Sequence, residues 1–374
     1  MIELRGKYNS AKVYNDFVEE TAVGQIITFL NHEAFQHGNI AIMPDVHAGA
    51  GAVIGFTAPL GNKVIPNVVG VDIGCGVCSW KLGNVDEDFN NLEKFIRHVI
   101  PSGFSVRAEK INFKNDKFRI TKSFLEQIEA LSDRTEQNHD RVLYSIGSLG
   151  GGNHFIEIGK DGNGECWLAI HSGSRNFGLK VANWHQKKAI AKVGKMGGLE
   201  YLEGDAACRY LEDMNLAQIY AHLNRKVMGY YIIEKYFKLN VDKLESIESV
   251  HNYISFGDKI IRKGAISAHK NERVIIPMHM AFGNVIGHGK GNDDWNQSAP
   301  HGAGRKMSRR KAKEELKLED VKEQMKDVQT WSLSNATLDE APDAYKDPNE
   351  IIEYLKETVE VEDIIKPVYN FKAK

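Results

Sequence analysis

Between residues 40 and 82 the chain runs in short apolar segments, among them Ile40-Ala41-Ile42-Met43 and Val68-Val69-Gly70-Val71, broken by glycine- and proline-rich turns. Apolar runs of that length bounded by turn formers predict β-strands. Ser79-Trp80-Lys81-Leu82 continues with the two-residue alternation of a half-buried strand. The period then changes. Residues 86–100 and 121–140 carry helix-like spacing with mixed charge, which predicts two helical stretches covering a sheet. A strand pair is predicted at 142–158, where glycines interrupt apolar runs, and a further strand at 165–171 ends on His171. Trp184, Ala206, Leu211, Leu216, Ile219 and Leu223 sit among polar residues in a long helical stretch at about 179–239. β-like runs return at 272–278 and 282–287; a glycine-rich segment at 287–304 follows, and then helix. This mixed order lacks the strict βαβ alternation of a doubly wound sheet. It predicts an α+β fold in which mixed β-sheets form the core and the active-site cleft, with helices packed outside.

Composition narrows the class. A chain of 374 residues with 42% hydrophobic content can bury a large core. No internal repeat, low-complexity tract or clear linker divides it, so a single domain spanning 1–374 is expected. The formal net charge is −2 with 26% charged residues, so no global basic field announces nucleic acid. The Met-Ile-Glu-Leu-Arg start lacks the charged-then-apolar run of a signal peptide, and no apolar stretch approaches the roughly 18 residues of a membrane span. A cytoplasmic protein without membrane contact is expected. Four cysteines (Cys75, Cys78, Cys166, Cys208) do not make a disulfide framework, and a reducing compartment would leave the thiols free for metal.

The chemistry concentrates at Val71-Asp72-Ile73-Gly74-Cys75-Gly76, where Asp72 and Cys75 share a glycine-bracketed turn and can reach one metal site. Downstream, His154, His171, His251 and His301 each have polar or glycine neighbours, as at loop tips or strand ends. Any one of these histidines could simply satisfy a local hydrogen bond or face water. Taken together with Asp72 and Cys75, they point to a transition-metal centre, because thiolate and imidazole suit Zn, Mn, Fe or Co better than Mg or Ca. Donors scattered this widely need a whole fold to assemble them, unlike a zinc finger. Cys75-Gly-Val-Cys78 also fits the C-x-x-C form. Redox pairs usually open a helix, however, and the strand-like residues that follow make Cys78 a small buried residue instead. Arg305 to Lys313 holds six basic residues in nine positions, either a solvated helix face or a phosphate holder. Gly287-His288-Gly289-Lys290-Gly291-Asn292 fails the P-loop form, since Asn292 stands where Ser or Thr should bind Mg²⁺.

These motifs together resemble the RtcB family of RNA ligases. The resemblance runs nearly end to end, through Met43-Pro44-Asp45-Val46-His47-Ala48-Gly49, Val71 to Gly76, Gly150 to Glu157, His171 to Arg175 and His251-Asn252-Tyr253. It continues through Ser298 to Arg305, Glu340 to Lys346 and the ending Asn370-Phe371-Lys372. It implies an RtcB-like fold and the joining of RNA 3′-phosphate or 2′,3′-cyclic phosphate ends to 5′-hydroxyl ends, in RNA repair or tRNA splicing. It also implies GTP and two Mn²⁺ ions, with Cys75 bridging both, Asp72 and His154 on one ion and His171 and His251 on the other. His301, in the Ser298–Arg305 motif, is then the nucleophile that takes GMP from GTP, Asp45 of the Met43–Gly49 motif is a further catalytic residue, and Arg305 neutralises phosphate charge. Guanylate passes from His301 to the RNA 3′-phosphate, and the 5′-hydroxyl displaces GMP. A cyclic phosphate is first opened to a 3′-phosphate. The family pattern puts Asn153 on the GTP phosphates, Phe155 and Glu157 around the nucleoside, and Tyr345 and Lys372 at the guanine end. Gly302, Ala303 and Gly304 let the nucleotide approach the backbone, and Arg175 with Arg305 meets phosphate or RNA. Lys372 is third from the end, so the tail must fold back over the nucleotide. The implied partners are RNA, GTP and an archease-type activator, with the ligase a monomer.

The chain departs from the family at two places. Gly76-Val77 stands where Gly-Met is common, and Pro277-Met278-His279-Met280 lies where some members carry a nucleotide-contacting serine. Three other readings stay open on the residues alone. Family members can cap 3′-phosphate ends with GMP without sealing them. A metal-dependent phosphodiesterase would use His301 as acid or ligand, and a binding protein would use the basic run 305–313 as its contact surface.

Overall fold

The computed structural model describes residues 1–112 and 117–373 and shows a mixed α+β architecture built on two large sheets. The first has six strands in the order Ile2–Arg5, Ser10–Val13, Ile40–His47, Ile54–Pro59, Ile260–Lys263 and Asn252–Ile254. The second has seven, in the order Arg273–Pro277, Asn284–Gly289, Val359–Phe371, Phe155–Lys160, Cys166–Ser172, Gly76–Gly83 and Ser246–Val250. Ala265–Ser267 and Ser298–Pro300 form a separate antiparallel ribbon.

The seven-stranded sheet curls until its edges meet, with the Ile275 N–H of the first strand donating to Ser249 Oγ of the last at 2.9 Å. Side-chain alternation shows what closes it. Val77, Phe155, Trp167, Ala169, Ile247, Ile275, Ile286 and Ile365, drawn from every strand of the sheet, pack together on the inner face. Their neighbours Cys78, Ile156, Leu168 and Ile170 point outward into the main core with Met214, Ala217, Tyr220 and Val227 of the helix Asp205–Tyr230. Strand Cys166–Ser172 is therefore buried on both faces, which is why its sequence reads as a continuous apolar run. The sheets form the core and helices pack outside, as expected from the sequence pattern; the closure of one sheet into a nearly complete barrel is a feature that pattern did not announce.

Several elements differ from the sequence reading. Val68-Val69 belongs to a helical turn, Pro66–Val69, in which proline takes the first position and Gly70 (φ 94°) ends it. Val142 to Tyr144 closes the helix His139–Tyr144, capped by Asn138, so only the second half of the expected 142–158 strand pair is a strand. The long stretch at 179–239 is two helices, Arg175–Val193 and Asp205–Tyr230, the second running into a π-turn at Tyr231–Tyr236. Gly194, at φ 80°, stops the first. The 13-residue strand Val359–Phe371, absent from the sequence reading, is the longest of all. Among the described residues no helix is long and apolar enough to cross a membrane.

Candidate active site

Antiparallel register brings the metal-type donors to one rim of the barrel. Phe155, next to His154, pairs with His171, which also pairs with Val77, while Gly76 pairs with both Ser172 and Val250. The His251 N–H donates to the Cys75 carbonyl at 2.9 Å. Arg225, fully buried in the long helix, holds the Asp72–Cys75 turn from behind: its guanidinium donates to the Gly74 and Ser172 carbonyls at 2.8 and 2.7 Å and pairs with Glu248.

The donors form two groups that share one sulfur. Cys75, His171 and His251 make one, Asp72, Cys75 and His154 the other, with all donor atoms of a group within 4.8 Å of one another. Cys75 Sγ lies 3.4 Å from His154 Nε2 and 3.3 Å from His171 Nε2; His171 and His251 bring their Nε2 atoms to 3.3 Å, and Asp72 Oδ2 is 3.0 Å from His154 Nε2. Burial, followed by neighbouring histidines, holds His171 and His251 well below the usual imidazole range. Both are therefore neutral and offer lone pairs. Burial and the Asp72 carboxylate push the Cys75 thiol well up. A thiolate there calls for a cation beside it, and the converging sulfur, nitrogen and oxygen donors suit a transition metal.

His301 follows the strand Ser298–Pro300, and its ring centroid stands 4.7 Å from that of His251. Asp45, wholly buried on the strand Ile40–His47, accepts from His301 Nδ1 at 2.6 Å and from the His301 backbone N–H at 3.1 Å. Nδ1 thus carries the proton and Nε2 the lone pair. The 301–304 loop lies directly on the Asp45 strand. A Cβ on Gly304 (φ 72°) would fall 2.2 Å from the Asp45 carbonyl oxygen, so this glycine serves packing.

A cleft of about 1050 Å³ joins these groups to a second cluster. Tyr345 donates its hydroxyl to Glu340, and Lys372 Nζ lies 3.6 Å from Glu340 and 5.7 Å above the Phe155 ring. Glu157 accepts from Asn284 and Asn370 at 2.7 and 2.8 Å, and burial pushes its carboxyl up to about 7. Burial lowers Lys372 and raises Tyr345, the latter reinforced by Glu340. The tail is anything but loose here. Asn370 and Phe371 pair with Glu157 and Ile156, and the Lys372 backbone exchanges hydrogen bonds with Ser332.

Gly302, Ala303, Gly304 and Asn153 also line the cleft, as do Pro277 to Met280. Arg305 lines it too, but its nitrogens are engaged by the Met307 and Asp339 carbonyls, Glu340 and the Tyr345 hydroxyl. Arg175 lies apart from the lining, bonded to Ser148 Oγ and the Gly103 carbonyl. Sequence reasoning did not single out Glu340, Asn284, Asn370 or Arg309, which pairs with Asp339 and Glu340. Glu340 and Asn370 stand inside motifs already noted at Tyr345 and Lys372; Arg225, mid-helix, gave no signal.

Residues 25–373 match the family described as tRNA-splicing ligase RtcB. The chain is 32% identical over 366 residues to the RNA-splicing ligase RtcB of Escherichia coli K12, covering 87% of this chain and 88% of that protein. It is 28% identical over 398 residues to the tRNA-splicing ligase RtcB of Aeropyrum pernix (83% and 82% covered) and 27% over 401 residues to that of Nanoarchaeum equitans (84% and 83%).

Proposed function

The chain belongs to the RtcB family of RNA ligases, and on that premise we propose that it joins RNA 3′-phosphate or 2′,3′-cyclic phosphate ends to 5′-hydroxyl ends, using GTP and manganese. The observation that carries the reading is His301, oriented by buried Asp45 and set against the histidines of the donor cluster. The His301 Nε2 lone pair attacks the α-phosphorus of GTP, pyrophosphate leaves, and a histidine–GMP phosphoramidate forms. Asp45 keeps the tautomer and balances the positive charge that the ring gains. The RNA 3′-phosphate oxygen then attacks the same phosphorus and releases His301. The 5′-hydroxyl of the second strand attacks the RNA phosphate and GMP departs.

Asp72, Cys75, His154, His171 and His251 would hold the manganese, with Cys75 common to both donor groups. When bound, the metal supplies charge neutralisation at phosphate oxygens and activation of water or hydroxyl. Asn153, Gly302, Ala303, Gly304 and Arg305 face the phosphate side of the nucleotide, with Arg305 also framing Tyr345. Guanine presents two donors and one acceptor on one edge, so a carboxylate beside an ammonium suits it; Glu157 and Lys372 supply them, with Phe155 and Tyr345 beside the base. Residues 1–374 act in this reading as one catalytic domain.

The test is incubation with Mn²⁺ and GTP followed by mass measurement of the intact chain and mapping of the modified peptide. A GMP adduct on His301, labile in acid as a phosphoramidate is, supports the reading. No adduct, or one on a lysine such as Lys306, overturns it.

A further inference from the structure

The turn Ser102–Ser105 has a use that the nucleotide cleft leaves unexplained. Phe104 is 97% exposed, more than any other large apolar residue among those described. Scattered exposed apolar side chains are ordinary, but this one is carried on a backbone tied down on every side. The Leu149 N–H donates to the Pro101 carbonyl at 2.8 Å, and Ser102 bridges Leu149 in parallel. Arg175 donates to the Gly103 carbonyl at 2.6 Å, Arg141 to the Phe104 carbonyl at 2.9 Å, and the Ser105 N–H to the Ser102 carbonyl at 3.1 Å. The turn is therefore fixed while the ring it carries touches almost nothing.

Its anchors lead straight to the donor cluster. Leu149 opens the loop Gly150-Gly151-Gly152-Asn153 that ends on His154. A Cβ built on Gly150 would lie 2.0 Å from His154 Nδ1 and 2.9 Å from Arg175 Nη1, so Arg175 spans from the back of a metal-type donor to the Phe104 turn. Gly151 and Gly152 are exposed, nothing lies within 4 Å of a Cβ on Gly151, and Gly152 abuts Arg309 at the cleft rim. Open backbone thus leads from the cleft past Asn153 to Gly152 and Gly151, and the same loop is tied through Leu149 to an exposed aromatic ring flanked by exposed Arg141. Bare backbone beside guanidinium groups suits a phosphodiester chain, and a fixed, exposed ring suits a nucleobase.

We propose that Phe104 is a stacking platform for one base of the RNA substrate, at the end of an RNA path that leaves the donor cluster over Gly151–Asn153. The proposal rests on the RNA-joining reading for its ligand, and it names the surface that reading lacks. Because the Phe104 side chain is solvated, its removal leaves packing intact.

The test measures RNA affinity by fluorescence anisotropy, without GTP, on full-length wild-type, Phe104→Ala and Phe104→Trp proteins loaded with Mn²⁺. Two sets of short single-stranded RNAs are used, one ending in 3′-phosphate and one in 5′-hydroxyl, each with a single abasic site moved stepwise from the reacting end. Phe104→Ala is expected to weaken binding on the order of tenfold, the size of one base–aromatic stack, and Phe104→Trp to retain it. At one abasic position the wild type should lose the same factor and Phe104→Ala nothing more, the coupling expected of a direct contact. GMP-adduct formation from GTP alone is measured in parallel; its failure in the wild type would sink the nucleotidyl reading without bearing on this surface. Equal RNA affinity in all three proteins overturns the proposal. So does a Phe104→Ala defect that emerges only when a protein activator is added, which would make the surface a protein contact.

Discussion

Replacing Asp45 by Asn isolates the group that sets the His301 tautomer while changing almost no volume. One carboxylate oxygen, Oδ2, takes both the ring Nδ1–H and the backbone N–H of His301, and the other, Oδ1, is buried with no hydrogen-bond partner. An asparagine must choose between two poor orientations. With its oxygen toward His301, both bonds survive but lose their charge, about 1.5–3 kcal/mol, and the amide NH₂ is left unsatisfied where Oδ1 was. With the NH₂ toward His301, donor faces donor at the backbone N–H, and the ring must carry its proton on Nε2, which removes the lone pair on which the proposed attack depends. The equivalent tautomer error in a Ser-His-Asp triad costs about 10⁴-fold. The backbone N–H favours the first orientation, so guanylylation is expected to slow by about 10²-fold, equal to about 3 kcal/mol of barrier. The assay is rapid-quench formation of radiolabelled protein–GMP at saturating GTP, with bound metal measured on the same sample. Metal content should match the wild type, because Asp45 belongs to neither donor group. Guanylylation at the wild-type rate, or a loss that tracks with lost metal, would refute the reasoning.

Cys75→Ala is expected to lower bound metal at both donor groups and to abolish nucleotide transfer and joining, whereas Cys78→Ala, on the outer face of the barrel strand, should keep metal and activity; elemental analysis of both proteins decides. Chelated protein reloaded with Mn²⁺ should regain activity and with Mg²⁺ should not, since thiolate and imidazole match a small hard cation poorly; full turnover with Mg²⁺ would count against these donors. Glu157 has its folded-state carboxyl pushed up to about 7 by burial, so its protonated form favours the fold: that stability is complete below about pH 4 and lost as pH rises through about 7. Urea unfolding between pH 5 and 8 should show stability falling with pH in the wild type and a flatter profile in Glu157→Gln, and parallel profiles would remove the argument.

What the sequence revealed and what it hid divide along physical lines. Asp72, Cys75 and the histidines were readable because their chemistry is unusual beside glycine, and the small buried strand residue expected at Cys78 is what the strand Gly76–Gly83 carries there. The error at Val68-Val69 came from trusting β-branched residues over the proline that precedes them: Pro66 suits a first helical turn, and tertiary packing buries both valines from a helix as readily as from a strand. The C-terminal strand was legible in part: Val359 to Asp363 alternates apolar and charged residues, a strand signal the sequence reading passed over, whereas the inner half carries Pro367 at a register shift and reads poorly as a central strand. No local pattern announces that such a segment will lie in the middle of a sheet.

That strand also explains how Lys372 comes to lie buried against the cleft. Val359–Phe371 lies between Asn284–Gly289 and Phe155–Lys160, so it is paired on both sides and cannot fray without breaking the barrel. Tyr369 donates to buried Glu93 at 2.6 Å, and Arg97 of the same helix, Phe89–Val99, stacks over Phe371. The register then delivers Asn370 to Glu157 and Lys372 to Glu340. The ends of sheets and the ends of chains are usually the least ordered parts of a protein. Here residues 359–371 run through the middle of a sheet, and the precision of the Glu157–Lys372 end of the cleft follows from strand register, while the precision of the donor end follows from three strands meeting at Cys75.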